Sequence, residues 1–156
     1  AGADLLVVQP AAGHDMPALL ARIRAAGCRA GLALGPAGHD AALADLPGWL
    51  PALDMVHVAC ADGLSPARSF LPSALAQVQR VRALLGAPGG PVRLQVDGHI
   101  SAANAGLVAA AGADDVVVGR ALFGGRDWAG TVAGLRAALD GAPADLPALD
   151  PTQVHA

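Results

Sequence analysis

The stretch LQVDGHI, Leu94–Ile100, sets a carboxylate, Asp97, at the end of an apolar run with a glycine directly behind it. An acid so placed can take up and return a proton or ligate a cation, and Gly98 lets backbone approach a ligand closely. The plainer role for the same side chain is to cap the turn that follows, or the helix near Ser101. A second stretch, VVVGRALFGG, puts Gly119 and Arg120 after another apolar run and just ahead of a short helical turn. Backbone N–H groups at a helix start suit a phosphate, and Arg120 adds positive charge there; its plainer role is that of a surface arginine.

Both stretches need strands that end on one side of a sheet. Short apolar runs at Leu5–Val8, Ala30–Leu34, Met55–Ala59, Val92–Val96 and Asp115–Val118 read as strands buried on both faces, as parallel strands are. Between them, Pro17–Ala26 and Pro72–Leu85 read as amphipathic helices with proline in the first turn, and a further helix spans about Ser101 to Ala111. Trp128, Val132, Leu135 and Leu139 fit a closing helix. Parity along the strands sends Met55 and His57 to the inner face, and Leu32 and Leu34 are expected there too. His57 then reads as a hydrogen-bonded core residue, with a proton relay as the alternative. His14 and His39 fall in loops and are expected to be solvated.

Strands alternating with helices give an α/β architecture with right-handed crossovers. A doubly wound sheet calls for a glycine-rich nucleotide fingerprint after an early strand, and the sequence has none. The spacing of the strands fits a (βα)8 TIM barrel, whose repeat is roughly 30 residues or a little less. Five βα units do not close such a barrel, so the expected fold is an incomplete one, its first three strands missing, roughly 60 to 90 residues. The opening tetrapeptide points the same way: Ala-Gly-Ala-Asp recurs at Ala111–Asp114, where it follows a helix. Residues 1–140 are assigned to the barrel and 141–156, with Pro143, Pro147 and Pro151, to a loose tail.

Composition narrows the partners. The net charge is −3, with ten arginines and no lysine, which gives no basic face for nucleic acid. The longest uncharged stretch, Gly98–Ala113, is too short and too rich in Gly and Ala to span a bilayer. No signal peptide is visible, and Cys28 and Cys60 are too few for a disulfide framework, so a cytoplasmic location is expected.

The pieces AGADLLVV, AGCRAGLALGPAG, LDMVHV, SFLPSAL, LQVDGHI and AGADDVVVGRALF, in this order and spacing, resemble the C-terminal two-thirds of ribulose-phosphate 3-epimerases up to about Gly125. The resemblance implies a barrel enzyme that interconverts ribulose 5-phosphate and xylulose 5-phosphate through an enediolate. It implies a divalent metal ion of zinc, iron, manganese or cobalt type, a sugar-phosphate substrate and room for a homo-oligomer. Asp97 matches the family's late-strand Asp, one of two acid/base carboxylates and a metal ligand. Gly98, His99, Gly119 and Arg120 match its phosphate end. The partner Asp and two His ligands belong to strands outside this chain, so the chain alone is expected to be inactive.

The sequence also departs from that family. Cys60–Ser69, CADGLSPARS, replaces a glycine-rich phosphate loop, keeping Gly63 and adding Pro66. Ala59 stands for a Met, His99 for a second Gly and Arg120 for a Ser. Two other readings stay open at this level: another phosphate-binding barrel of hexulose-phosphate synthase or decarboxylase type, and a non-catalytic half-barrel.

Overall fold

The computed structural model describes residues 2–11, 13–35, 40–61, 70 and 73–143. Five strands, β1 (Leu5–Val8), β2 (Arg29–Leu34), β3 (Met55–Ala59), β4 (Arg93–Asp97) and β5 (Asp115–Val116), form one sheet in sequential order. Every pairing is parallel. Helices α1 (Met16–Ala25), α2 (Asp40–Trp49), α3 (Ser73–Leu85) and α4 (Ala105–Ala110) connect them, and α5 (Arg120–Phe123) and α6 (Trp128–Asp140) follow β5. Parallel neighbours need a crossover, and a helix on one face of the sheet supplies it. This is the strand order of a partial βα barrel, as the spacing implies.

Local chemistry explains the boundaries. Asp15 caps α1, its carboxylate accepting the Ala18 N–H at 3.0 Å, and Pro17 occupies the first turn. Asp127 does the same for α6 through the Gly130 N–H at 2.8 Å. Helix α2 has no counterpart in the sequence reading; it contains Pro47 and Gly48, residues that ordinarily argue against a helix. Strand β5 stops at Val116 rather than Val118, although the Val117 N–H still reaches the Val96 carbonyl at 2.8 Å. Pro72, His39 and residues 144–156 of the expected tail lie outside the described residues.

The core lies between the sheet and its helices. Leu32, Leu34, Val56, Val58, Leu94 and Val96 are buried there against side chains such as Leu20, Leu75 and Val78. This corrects the expectation for Leu32 and Leu34. They pair in register with Val56 and Val58, whereas Met55 and His57 pair with Gly31 and Ala33, so the two leucines face the helices. The other face carries Met55, His57, Ala59, Gln95 and Asp97, all half-buried. In α6 only Leu135 is buried, and Trp128 and Val132 are exposed. No helix among the described residues is long and apolar enough to cross a membrane.

Candidate functional site

Asp97 is the last residue of β4, level with Ala59 of β3 and half-buried. Its Oδ1 accepts the Gly98 N–H at 2.6 Å, so the side chain does take the turn-capping role. Oδ2 takes no hydrogen bond from the described residues. The main chain is also fixed: the Asp97 carbonyl accepts the Cys60 N–H at 2.6 Å. Gly98, at φ 112°, lies so close to the end of β3 that a Cβ on it would stand 2.6 Å from the Ala61 nitrogen. No other residue fits that approach, which is why glycine follows the Asp.

His99 continues the turn with φ 54°, the one non-glycine residue with positive φ among those described. Asn104, unnoticed in the sequence, holds this loop: its Nδ2 donates to the His99 carbonyl at 3.0 Å and its Oδ1 accepts the Ser101 N–H at 2.9 Å. Buried Ile100 anchors the loop between them. Gly119 and Arg120 lie at the same end of the sheet, after β5, with Gly119 as the cap of the one-turn α5 and Arg120 exposed. Asp97, Gly98 and His99 thus form one continuous turn. Gly119 and Arg120 stand on the neighbouring strand end, and no ion pair among the described residues links Arg120 to Asp97.

One strand step below Asp97, His57 and Gln95 pair directly across β3 and β4, with His57 Nδ1 and Gln95 Oε1 3.0 Å apart. His57 is therefore hydrogen-bonded, as expected, but half-buried, because no layer of described residues covers the face it occupies. His14 is exposed in the loop before α1. Cys60, beside Asp97 across the ends of β3 and β4 and fully buried, is no nucleophile: burial, and then the negative charge of Asp97, push its thiol up to about 12.

Among the described residues no three His, Cys, Asp or Glu side chains converge as a metal site would require. Asp97 by itself offers one free carboxylate oxygen and does not make a metal centre. Residues 62–69, which hold most of the altered loop after β3, lie outside the described residues.

Comparison with known proteins agrees with this layout. The Ribulose-phosphate 3 epimerase family matches residues 1–123. Ribulose-phosphate 3-epimerase 2 of Cupriavidus necator is 36% identical over 139 residues, covering 86% of this chain and 56% of that protein. Ribulose-phosphate 3-epimerase of Escherichia coli K12 is 32% identical over 139 residues, covering 89% of this chain and 60% of its own length. The chain thus spans less than two-thirds of these relatives. In fold it resembles the crystal structure of a 3-hexulose-6-phosphate synthase, with a TM-score of 0.62 at 23% identity over 88% of this chain and 63% of the other. With the family matched across most of the parallel βα units and the Asp-Gly turn at the end of β4, the chain belongs to the ribulose-phosphate 3-epimerase family.

Proposed function

We propose that this chain supplies one acid/base carboxylate and the phosphate end of an enzyme that interconverts ribulose 5-phosphate and xylulose 5-phosphate. The observation that carries the reading is Asp97 at the end of β4, with Oδ1 engaged by Gly98 and Oδ2 left for a proton. Inversion at carbon 3 needs a base on one face of the substrate and an acid on the other. Asp97 serves one face: Oδ2 takes the carbon 3 proton in one direction and returns it in the other. The opposite face needs a second acid; at this end of the sheet the carboxylates of Asp15 and Asp127 are engaged as helix caps. The Gly98–His99 turn and Gly119–Arg120 present backbone N–H groups and one guanidinium to the substrate phosphate. Glycine at 98 matters here as well, because it lets the phosphate end close against β3.

The test is hydrogen exchange at carbon 3. In a protein that carries these 156 residues within a closed barrel, ribulose 5-phosphate should acquire deuterium from heavy water, and Asp97→Asn should reduce that wash-in by about a hundredfold or more with the fold intact. Undiminished wash-in in Asp97→Asn would remove Asp97 from the chemistry.

A further inference from the structure

The sequence contains three Asp-Gly pairs, at 62–63, 97–98 and 140–141, of which the last two lie among the described residues. An aspartyl carboxyl carbon and the nitrogen of the next residue can close a five-membered imide, and a glycine there leaves that nitrogen unshielded. Closure depends on where the fold holds the two atoms, since a pair kept about 3–3.5 Å apart and aligned is already in a near-attack arrangement.

The fold treats the two described pairs oppositely. At Asp97 the Gly98 N–H donates to Oδ1 over 2.6 Å, so Cγ, one bond further on, stands against the nitrogen that would attack it. That nitrogen donates to no carbonyl among the described residues. At Asp140 the nitrogen is taken: the Gly141 N–H donates back into α6, to the Ala137 carbonyl at 3.0 Å. The Asp97 contact is also held from both sides. The Asp97 carbonyl accepts the Cys60 N–H at 2.6 Å, and a Cβ on Gly98 would stand 2.9 Å from the Ala61 Cβ. Beyond it, Asn104 grips the His99 carbonyl at 3.0 Å. Asp97 and Gly98 are nevertheless half-buried rather than sealed, so water reaches them.

We infer that Asp97–Gly98 is a self-modification site, at which the turn after β4 converts its aspartate to isoaspartate. The Gly98 nitrogen attacks Cγ of the carboxylic acid: the N–Cγ bond forms, the C–OH bond breaks, and the hydroxyl leaves with the nitrogen's proton as water. Water then adds to either carbonyl of the imide. Breaking the N–Cγ bond restores aspartate. Breaking the bond from the nitrogen to the main-chain carbonyl carbon leaves the chain running through Cβ and Cγ, with the carboxylate on Cα. Water is the one co-reactant, and nothing is oxidised or reduced. The product chain is one atom longer between β4 and Gly98, which lets His99 relax from φ 54°. The Cys60 N–H then meets a free carboxylate in place of an amide carbonyl, and no carboxyl oxygen remains where Oδ2 stood. The modification is independent of the epimerase reading; its cost to turnover alone rests on that reading.

The test is to hold the folded chain in heavy-oxygen water and to map its peptides by mass. Each passage through the imide leaves one heavy oxygen whichever bond reopens, and isoaspartate peptides elute apart from aspartate ones. Label should enter at Asp97 at least about tenfold faster than at Asp140, and urea should bring the two rates together. Equal rates in the folded chain, no label at Asp97, or a preference for Asp97 that survives in urea would each overturn the inference. Asp97→Glu, which would need a six-membered ring, should take up no label at that position while Asp140 behaves as before. Label entering there regardless would show exchange without an imide and would also overturn it. In Asp97→Asn the same ring closes with loss of ammonia, so the amide at that position should give aspartate and isoaspartate on standing while Asn104, which precedes Ala105, persists. An amide at position 97 as durable as that of Asn104 counts against the site in the same way. Because every readout is a mass, failure here leaves the role of Asp97 in proton exchange to its own test.

Discussion

His99 holds φ 54° in the turn beside Asp97, a conformation that costs a non-glycine residue about 1–2 kcal/mol. His99→Gly removes that strain but adds freedom to the unfolded chain, so a net gain of about 0.5–1 kcal/mol is expected in urea unfolding. An unchanged or lowered midpoint would mean that the imidazole makes up the difference. Cys60 gives a pH test. Its folded-state pKa is raised from 9.0 to about 12, by burial first and Asp97 second. The neutral thiol is the form the fold favours, so its contribution is complete below pH 9.0 and is lost as pH rises toward about 12. Alkaline unfolding should therefore begin later in Cys60→Ala than in the parent chain; coincident pH profiles would show that the thiol does not drive it. That Asp97 and Gly98 end a strand was legible in the sequence, because an Asp-Gly directly behind an apolar run stops it. Asn104 was not, because a short amide bonding backbone five residues away leaves no periodic trace.

Asp54, just ahead of β3, accepts Arg24 of α1 and the Ala30 N–H, and Asp114, just ahead of β5, accepts Arg82 of α3 and the Leu94 N–H. The two pairs differ in how deeply they are set, and that decides their weight. The side chains of Arg82 and Asp114 are 11% and 3% exposed, against 47% and 30% for Arg24 and Asp54. Burial alone would raise the Asp114 carboxyl, but the Leu94 and Gly89 N–H groups and the Arg82 guanidinium together hold it below its ordinary value of 3.8. Its stabilisation is present above pH 3.8 and is lost as pH falls through the lower folded value. Asp114→Ala leaves Arg82 buried and unpaired and should cost about 3–5 kcal/mol, while Asp54→Ala should cost about 1 kcal/mol. Equal losses in urea unfolding would contradict the ranking by burial. At this scale the strands were readable as apolar runs, but their facing was not. In Arg29–Leu34, RAGLAL, small and large apolar residues alternate after Arg29 and none of Ala30–Leu34 is polar to mark a face, so Leu32 and Leu34 were assigned inward. Helix α2 was hidden by Pro47, a residue whose cost is met here by packing of Leu46, which is fully buried.

Across the whole molecule, the alternation and spacing of strands were enough to give a parallel sheet in sequential order, because each short crossover forces the next strand beside the last. What spacing does not convey is how the sheet's second face is covered, and among the described residues it is left half-buried, with β1 and β5 at the two edges of the sheet. Exposed apolar side chains gather at both ends of the strand order. Leu6 and Val7 lie at β1, while Val117, Phe123, Trp128 and Val132 lie at β5 and the helices after it. Phe123 and Trp128 even meet edge to face, their ring centroids 6.1 Å apart, while staying 70% and 58% exposed. An unpaired strand edge is a template for further pairing, and natural sheets blunt such edges with charge or proline, neither of which occurs within Leu5–Val8. The chain in isolation should therefore associate in a concentration-dependent way, and Leu6→Lys should shift it toward monomer by placing a charge on the β1 edge. Sedimentation velocity across a hundredfold range of concentration checks both statements. A parent chain that sediments as a monomer throughout would show that neither edge drives contact, and a Leu6→Lys variant that associates as the parent does would move the contact to the Phe123–Trp128 surface.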